Sequence, residues 1–328
     1  MDYIQFGSTG LKVSRLAFGM SFIEQTDETK ALTAVEAAID RGINFFDCAN
    51  VYAPYDDRSL GPGRSERILA KAIKGKRDRL VITTKVDESV GPGPNDSGLS
   101  RYHILREVEH SLSRLDTDHI DLYLAHHPDP ATPLEETVTT FDHLVKAGKI
   151  RYYGFCNFKA WQATRALWVA DRSWLEPAVC LQAPYNLIDR RLEEEVFGLV
   201  RDQGLAFMAY SPLARGLLTG VYSPDEPPPG DRLWGSKWKH RFEKQLQGRP
   251  GLILAAIREI AAEQGKTPAQ VALAWVLARP EVTVAILGCD DTSQLDENLG
   301  ALGWNLSEDQ LDRLNRLSEP AKQTRIYD

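Results

Sequence analysis

Cysteine is scarce in this chain of 328 residues and follows no pattern. The four cysteines, Cys48, Cys156, Cys180 and Cys289, form no Cys-x-x-Cys pair and no cysteine–histidine arrangement typical of a metal site. Isolated, widely spaced cysteines are typical of reduced thiols, because disulfides are rare inside cells. The sequence therefore predicts a cytoplasmic protein with reduced cysteines.

The chain also lacks an excess of positive charge and any long apolar run. Its formal net charge of −7 disfavours binding to nucleic acid. No apolar run is long enough to span a bilayer, and the first residues show no signal-peptide pattern. We expect a soluble protein that binds neither nucleic acid nor membranes, and its hydrophobic content of 43% allows a large core.

Strand-like runs and amphipathic helical patterns alternate along most of the chain. A β-hairpin is predicted at 3–13, and strands are predicted near 16–19, 43–47, 80–85, 120–126, 150–156, 179–184, 205–210 and 282–287. Helices are predicted at 28–41, 64–74, 101–115, 134–147, 161–170, 191–203, 252–279 in two pieces and 293–301, followed by a C-terminal helix. Eight strand–helix units predict an α/β fold, a (β/α)8 TIM barrel with an N-terminal β-hairpin and a C-terminal helix.

One alternative fold is an open doubly wound sheet. A Gly-x-Gly-x-x-Gly turn after the first strand would favour it, and residues 16–24 contain no such turn. The barrel is therefore predicted as a single domain that covers residues 1–328.

Three helix starts carry capping signals. Thr132-Pro133-Leu134-Glu135 and Thr267-Pro268-Ala269-Gln270 each offer an N-cap, a proline at the first helical position and a capping-box partner. Ser307-Glu308-Asp309-Gln310 offers the box without the proline.

Two segments are long for connections in a compact domain. They are 87–100 and 221–250, and long loops that follow barrel strands surround the active face. Both are candidate substrate loops, although for 224–232 a disordered connector is an equal alternative. A third loop expected to determine specificity is 53–62. Tyr55 in this loop and Trp234 and Trp238 in 221–250 are candidate walls of a substrate pocket.

Polar side chains stand at the ends of three consecutive predicted strands. Asp47, Lys85 and His126 end the second, third and fourth strands, and Tyr52 follows Asp47 by one short loop. A barrel places the C-terminal ends of all its strands on one face, so we expect these four side chains to converge.

The four residue types together suit proton transfer to a carbonyl oxygen. Tyrosine has an ordinary pKa of about 10, and a nearby ammonium such as Lys85 lowers the pKa of Tyr52. Asp47 would hold the lysine, and His126 would polarise the substrate oxygen. Protein side chains supply no hydride, so a nicotinamide cofactor is implied.

At these residues the sequence resembles the aldo-keto reductase family over nearly its whole length. The matching stretches are Gly42 to Tyr52, Ile82 to Lys85, Asp121 to His126, Gly154 to Phe158, Tyr210 to Gly220 and Gly288 to Asn298. The segments Gly61 to Gly75 and Gly91 to Ile104 are similar to the branch that contains potassium-channel β subunits and bacterial aldo/keto reductases. The resemblance implies that Asp47, Tyr52, Lys85 and His126 are the catalytic tetrad.

The resemblance also implies which residues bind the cofactor. Asn157 and Gln182 match the pair that holds the carboxamide, Tyr210 matches the aromatic residue that packs on the nicotinamide ring, and Met20 and Asp47 should also contact the cofactor. The residues that match the pyrophosphate loop and the adenosine end are Ser211, Pro212, Leu213, Arg215, Gly216, Gly288, Asp290, Gln294, Glu297 and Asn298.

Three positions depart from the family pattern. Cys156, also a predicted cofactor contact, replaces a serine, which weakens one hydrogen bond, and Cys48 replaces a threonine with little effect. Asp290 occupies a position from which many members contact the 2′-phosphate, so its carboxylate, with Asp291 beside it, favours NAD(H). Because the resemblance to the family favours NADP(H), the sequence leaves the choice between NAD(H) and NADP(H) close to even.

Two further groups receive simple interpretations. His126 and His127 are adjacent, and on a strand they would point to opposite faces, so no metal site is predicted. Trp161, Trp168 and Trp174 lie in or near the fifth predicted helix and are interpreted as packing residues.

The sequence favours an NAD(P)(H)-dependent oxidoreductase that interconverts a carbonyl, possibly sugar-derived, and an alcohol, with Tyr52 as general acid and base. One alternative is a cofactor-binding regulatory subunit that senses redox state through a protein partner. Another is a barrel isomerase or hydrolase without a nicotinamide. Sugars, sugar derivatives and small aldehydes or ketones all remain candidate substrates, and the direction and the oligomeric state stay open.

Overall fold

The computed structural model of the protein describes residues 1–21, 27–52, 61–223, 242, 245–289 and 291–320. The strands are β1 (Tyr3–Gln5), β2 (Lys12–Ser14), β3 (Leu16–Gly19), β4 (Phe45–Asp47), β5 (Val81–Val86), β6 (Ile120–Ala125), β7 (Ile150–Cys156), β8 (Cys180–Pro184), β9 (Ala206–Tyr210) and β10 (Val282–Leu287). The helices in this part of the chain are α1 (Glu28–Asp40), α2 (Arg64–Ile73), α3 (Arg101–Leu115), α4 (Leu134–Lys146), α5 (Ala160–Arg172), α6 (Val196–Gln203), α7 (Arg249–Gln264), α8 (Pro268–Leu277), α9 (Thr292–Leu299) and α10 (Glu308–Ser318).

Eight parallel strands close into a barrel in the order β10-β3-β4-β5-β6-β7-β8-β9. All six residues of β5 and all six of β10 are buried, which explains why neither strand shows the regular alternation of apolar and polar residues that is typical of a half-exposed strand. The (β/α)8 barrel, its N-terminal hairpin and its C-terminal helix are therefore confirmed. Every predicted barrel strand is found within one or two residues of its expected limits.

The hairpin of β1 and β2 packs against the end of the barrel where the strands begin. Phe6 and Val13 are fully buried and belong to one apolar cluster with residues from inside the barrel. The ring of Phe6 lies edge-on to Phe45, with 5.6 Å between centroids. Gly7 has a φ of 56°, and a Cβ there would lie 2.6 Å from the backbone nitrogen of Ala206. Only glycine fits so close an approach.

Two of the three capping predictions are confirmed and one is wrong. Thr267 and Ser307 each form a capping box with the glutamine three residues later. The N-cap of α4 is Pro133, without a side-chain hydrogen bond. The Thr132 hydroxyl instead donates to the Asp129 carboxylate at 2.6 Å, because that acceptor competes with the helix start.

By their internal contacts, the described residues fall into two compact units. The first comprises 1–183, 195–210 and 281–296 and contains the barrel, and the second comprises 184–194, 211–280 and 297–328. In the second unit Trp275 is fully buried, stacks on Tyr185 and donates from Nε1 to Asn315 Oδ1 at 3.0 Å. The single domain over 1–328 stays a prediction.

The segment 87–100 is held by its own polar contacts. Asp96 accepts from the backbone nitrogen of Gly93 and pairs with Arg106, both in the range of 2.7 to 2.8 Å. The backbone nitrogen of Leu99 donates to Asp129 at 2.8 Å. Most of the other predicted substrate loop, 221–250, lies outside the described residues. In the part of the chain that the structure describes, no helix is both long enough and apolar enough to cross a membrane.

The interpretation of the α5 tryptophans as packing residues is wrong. The exposed fractions are 58% for Trp161, 55% for Trp168 and 92% for Trp174. The buried face of α5 is instead made of small or branched side chains, namely Ala163, Ala166, Val169 and Ala170.

Candidate active site

The ends of consecutive barrel strands bring the four predicted catalytic residues together. Asp47 is the last residue of β4, Lys85 lies one residue before the end of β5, and His126 directly follows β6. Tyr52 follows β4 after a turn in which its backbone nitrogen donates to Ala49 at 3.2 Å. Asp47, Lys85 and His126 are buried, and Tyr52 is half-buried.

The Lys85 ammonium is the centre of this cluster. Nζ donates to Asp47 Oδ2 and to the carbonyl oxygen of Cys48 at 2.7 Å each, and to the Tyr52 hydroxyl at 3.2 Å. An ammonium has three donors, so all three are used. Lys85 is fully buried, and a buried charge is tolerated only with such pairing.

The pairing sets the protonation of both partners. Burial lowers the pKa of Lys85, but Asp47 and Tyr52 raise it, and the net direction is upward. Burial raises the pKa of Tyr52, whereas Lys85 lowers it and Asp47 raises it further, so the net direction is again upward. The expected effect of the ammonium on Tyr52 is present, but burial outweighs it. Lys85 is therefore charged and Tyr52 holds its proton at neutral pH.

His126 is neutral in this site. Burial, Lys85 and His127, in that order, lower the pKa of His126 to about 2. Its ring lies edge-on to Tyr52, with 5.8 Å between centroids. Its Nδ1 is buried and has no hydrogen-bond partner among the described residues. A neutral imidazole still has one N–H, which can donate to a substrate oxygen.

The prediction that His126 and His127 point to opposite faces is wrong. Their rings stack with 4.8 Å between centroids, and Nδ1 of each lies within 3.8 Å of Glu88 Oε1. Strand β6 ends at Ala125, so the alternation of a strand no longer governs the two histidines. Nδ1 of His127 also contacts Asp87 Oδ2 at 3.3 Å. The absence of a metal site stays a prediction.

A chain of hydrogen bonds links the tetrad to the predicted carboxamide-binding residues. Gln182 Nε2 donates to Asp47 Oδ1 at 2.8 Å, and the Cys156 thiol donates to Gln182 Oε1 at 3.3 Å. Asn157 Nδ2 donates to the carbonyl oxygen of His126 at 3.0 Å, and the Tyr210 hydroxyl donates to Asn157 Oδ1 at 2.8 Å. Asn157, Gln182 and Tyr210 are thus placed at the same end of the barrel as the tetrad.

These side chains have room for one more polar group. Asn157 Oδ1 and Gln182 Oε1 each accept one hydrogen bond here, and a carbonyl oxygen can accept two. A primary carboxamide carries two N–H donors. The donor and acceptor set therefore fits the carboxamide of a nicotinamide, and Asn157, with a φ of 63°, holds its amide from a left-handed backbone position.

Further residues predicted to bind the cofactor lie after β3, after β10 and in α9. Met20 is fully buried, and its backbone nitrogen donates to the carbonyl oxygen of Asp47 at 2.8 Å. Gly288 follows β10, and the backbone nitrogen of Gln294, in the first turn of α9, donates to Asp291 Oδ1 at 2.8 Å. Asp291 is thereby occupied as a helix cap. Glu297 and Asn298 lie further along α9.

The segment 211–216 is a tight turn rich in left-handed backbone. Ser211, Arg215 and Gly216 have φ values of 51°, 56° and 89°. Asn186 Nδ2 donates to the carbonyl oxygen of Ser211 at 3.0 Å. Pro212 and Leu213 complete this turn. Asp290, Tyr55, Trp234 and Trp238 lie outside the described residues.

A buried polar network behind Tyr52 was missed by the sequence analysis. Asn50 Nδ2 donates to Glu107 Oε2 at 3.0 Å, and Arg114 joins Glu107 to Glu66 at 3.5 and 2.5 Å. The Thr84 hydroxyl donates to Glu66 at 2.6 Å. Both glutamates are buried. The signal that could have revealed them is an acid within the apolar stripe of an amphipathic helix, since a buried carboxylate needs partners.

Comparisons with known proteins place the chain in a family. Residues 9–319 match the sequence model of the Aldo/keto reductase family. An Arabidopsis thaliana protein, a probable voltage-gated potassium channel subunit beta, is 37% identical over 92% of this chain and 91% of its own length. The uncharacterized oxidoreductase YrpG of Bacillus subtilis is 39% identical over 96% of this chain and 95% of its own length.

A third relative carries the name of a defined reaction. The L-glyceraldehyde 3-phosphate reductase of Escherichia coli K12 is 32% identical over 92% of this chain and 88% of its own length. Together with the family match, these identities cover the barrel and its strand-end cluster. The chain therefore belongs to the aldo/keto reductase family of carbonyl-reducing oxidoreductases.

Proposed function

We propose that this protein interconverts a small aldehyde or ketone and the corresponding alcohol with a nicotinamide dinucleotide, and that Tyr52 exchanges the proton. The observation that carries the proposal is the Lys85 ammonium, which contacts both the Asp47 carboxylate and the Tyr52 hydroxyl inside the barrel. Asp47, Tyr52, Lys85 and His126 match the family tetrad residue by residue.

The roles follow from the protonation states. Burial keeps Tyr52 protonated, so it is ready to give its proton to a carbonyl oxygen. The tyrosinate that remains is stabilised by Lys85, whose Nζ lies 3.2 Å from the hydroxyl oxygen. The neutral His126 donates its N–H to the same substrate oxygen and fixes its position. In alcohol oxidation the proton moves in the opposite direction, from the alcohol hydroxyl to the Tyr52 oxygen.

The nicotinamide, when bound, supplies or accepts the hydride. Asn157 and Gln182 would accept hydrogen bonds from its carboxamide, and Tyr210 would pack beside its ring. NADP(H) and NAD(H) are both retained, because Asp290 favours the second and the family prior the first. A fluorescence titration with NADPH and then NADH separates them, since a 2′-phosphate adds charge that a carboxylate at position 290 repels.

The test is Tyr52→Phe, which removes only the hydroxyl. We expect kcat to fall by about 10²- to 10⁴-fold while the dissociation constant of the cofactor stays unchanged. Tyr153→Phe is the matched control, because its hydroxyl bonds to the carbonyl oxygen of Glu176 and not to the cluster. Substrates for the assay are small aldehydes, ketones, sugars and L-glyceraldehyde 3-phosphate. An unchanged kcat in Tyr52→Phe would overturn the role of Tyr52.

A regulatory role through a protein partner is the second candidate. It is favoured by the likeness to proteins named as probable potassium channel β subunits in Arabidopsis thaliana and Oryza sativa. In that case the protein would bind the cofactor tightly, turn over none of these substrates and co-purify with a larger partner. Turnover at ordinary enzymatic rates, about 1 per second or more, favours the reductase.

A further inference from the structure

Helix α5 carries an unusual set of exposed aromatic side chains. Trp161 and Trp168 are more than half exposed, and Trp174 is 92% exposed. Trp174 also has a φ of 55°, a left-handed conformation that is uncommon for a bulky residue. A cluster of large exposed apolar side chains marks an interaction surface more often than a single one does.

Four exposed residues of α5 form a stripe, here called the Trp–Arg stripe, which consists of Trp161, Arg165, Trp168 and Arg172. Their spacing of four, three and four residues places all four on one face of the helix. The Arg172 guanidinium lies 4.3 Å from the centroid of the Trp168 ring, so cation–π contact already occurs within the stripe. The side chains of Arg165 and Arg172 are 52% and 43% exposed.

An acidic residue of the neighbouring helix α4 partly neutralises the positive charge of the stripe. Glu135 of α4 lies 3.6 Å from Arg165 and 3.2 Å from Arg172. This carboxylate offsets the charge of both arginines and orients them along the helix. A second arginine-bearing surface can therefore approach with less repulsion than the stripe by itself would cause.

Two copies of the stripe are complementary when they run in opposite directions. The spacing of four, three and four residues is the same from either end of the helix, but each tryptophan of one copy then lies at the position of an arginine of the other. When two copies of α5 run antiparallel about a two-fold axis, Trp161 faces Arg172 and Arg165 faces Trp168, and each pair occurs twice. In the same register Lys159, at the N-cap of α5, faces Trp174, which lies two residues beyond its end.

We propose that the Trp–Arg stripe binds a second copy of this chain and forms a two-fold symmetric dimer through antiparallel α5 helices. Each tryptophan ring then contacts a cation of the other copy, and the exposed indoles become buried. Tryptophan and arginine are the residues most enriched among those that dominate binding energy at interfaces. Within the stripe this register places no like charges directly opposite each other.

The experiment is sedimentation velocity over a range of protein concentrations, with charge-swap variants. Arg165→Glu loses the contact with Trp168 of the partner, and Trp168→Arg places two arginines opposite each other. Each variant alone should dissociate at least about tenfold more readily than the wild type. Mixed in equal amounts, the two variants should form a heterodimer, because the new Glu and Arg side chains pair and the opposite Trp–Arg contact is kept.

A mixture of Arg165→Glu with Trp161→Arg is the matched control, because position 161 faces position 172 in this register, and the mixture should form no more dimer than either variant alone. Retained reductase activity in every variant shows that the fold is intact, since the stripe lies outside the predicted catalytic and cofactor residues. The proposal is overturned if the wild type is monomeric throughout, if the variants dimerise like the wild type, or if the complementary mixture stays monomeric. Binding of the monomer to anionic lipid vesicles through these tryptophans would also overturn it.

Discussion

At the scale of single residues, the Lys85–Asp47 pair is a buried ion pair that also contacts the proposed proton donor. Lys85 is fully buried and contacts Asp47, the carbonyl oxygen of Cys48 and the Tyr52 hydroxyl. The Asp47 carboxylate in turn accepts from Gln182 on its other oxygen. The Asp47 carboxylate therefore holds the Lys85 ammonium and orients Gln182, a residue predicted to bind the cofactor.

The first prediction concerns the loss of that carboxylate. Asp47→Ala should lower the free energy of unfolding by about 3–5 kcal/mol, because it leaves the Lys85 charge buried without its acid. The double variant Asp47→Ala with Lys85→Met should regain part of that loss, since the unpaired charge is then removed as well. Urea unfolding followed by circular dichroism measures both. A double variant less stable than Asp47→Ala would contradict the buried-charge explanation.

The second prediction concerns the pH dependence of carbonyl reduction. The pKa of His126 is lowered to about 2, so His126 is neutral at every pH between 5 and 10. The pKa of Tyr52 is raised above its ordinary value of about 10, so the protonated donor is lost only above that pH. We therefore expect kcat for reduction to stay level from pH 5 to about 10 and then to fall.

His127 supplies the control for this profile. The pKa of His127 is raised, first by its hydrogen bond to Asp87, so His127 titrates in the range where His126 does not. If kcat changes at a pH above 6.5, the direction in which the pKa of His127 is raised, that step should disappear in His127→Gln. A step at neutral or mildly acidic pH that remains in His127→Gln would mean that His126 titrates there, which would contradict its lowered pKa and its role as a neutral donor.

At the scale of structural elements, α3 supports the segment that carries Tyr52. Glu107 of α3 accepts from Asn50 Nδ2 at 3.0 Å, two residues before Tyr52. Ser65, in the first turn of α2, donates from its backbone nitrogen to the carbonyl oxygen of Tyr52 at 3.2 Å. The helices thus hold the segment that carries Tyr52, the proposed proton donor.

The third prediction tests this support. Glu107→Gln removes the charge that holds Asn50, His110 and Arg114. We expect kcat to fall by about tenfold to hundredfold with a smaller change in KM, because a small displacement of Tyr52 misaligns proton transfer. Glu109→Gln is the matched control, since Glu109 on the same helix pairs with Lys149 at the surface. An equal loss of kcat in both variants would argue against a positioning role of Glu107.

The sequence predicted the elements well because their signals are local. Strand β10 is a short run of apolar residues interrupted only by Thr283, and α8 begins with a capping box and a proline. The start of α4 was mispredicted because Asp129 competes for the Thr132 hydroxyl. The relative orientation of the His126 and His127 side chains was mispredicted because it depends on where β6 ends. The limits of strands are the least certain part of a secondary-structure prediction from sequence.

At the scale of the whole molecule, the tetrad could be predicted because a barrel gathers its strand ends. Asp47, Lys85 and His126 come from three different strand ends, and Tyr52 follows Asp47 by one short loop. Topology assigned all four to one face, and the structure brings them within hydrogen-bond or ring contact. The Asn50–Glu107–Glu66 network could not be predicted in the same way, because it depends on how α2 and α3 pack. The exposure of the α5 tryptophans likewise depends on which helix face the barrel covers.

The barrel separates stability from chemistry along its axis. The hairpin of β1 and β2 lies where the strands begin, and the tetrad lies where they end. Phe6 anchors the hairpin, since it is fully buried and packs edge-on to Phe45, the first residue of β4. Residues at the starting end of such strands serve stability, whereas those at the other end serve function.

The fourth prediction follows from this separation. Phe6→Ala should lower the free energy of unfolding by about 3–5 kcal/mol, because it opens a cavity in the packed hairpin, and should leave kcat unchanged at temperatures where the protein is fully folded. Lys12→Ala, at an exposed position of the same hairpin, should change stability by about 0.5 kcal/mol or less. Chemical unfolding and steady-state rates measured on the same preparations test both parts. A fall in kcat of fully folded Phe6→Ala would show that the two ends of the barrel are coupled, and the assignment of stability to one end and chemistry to the other would then fail.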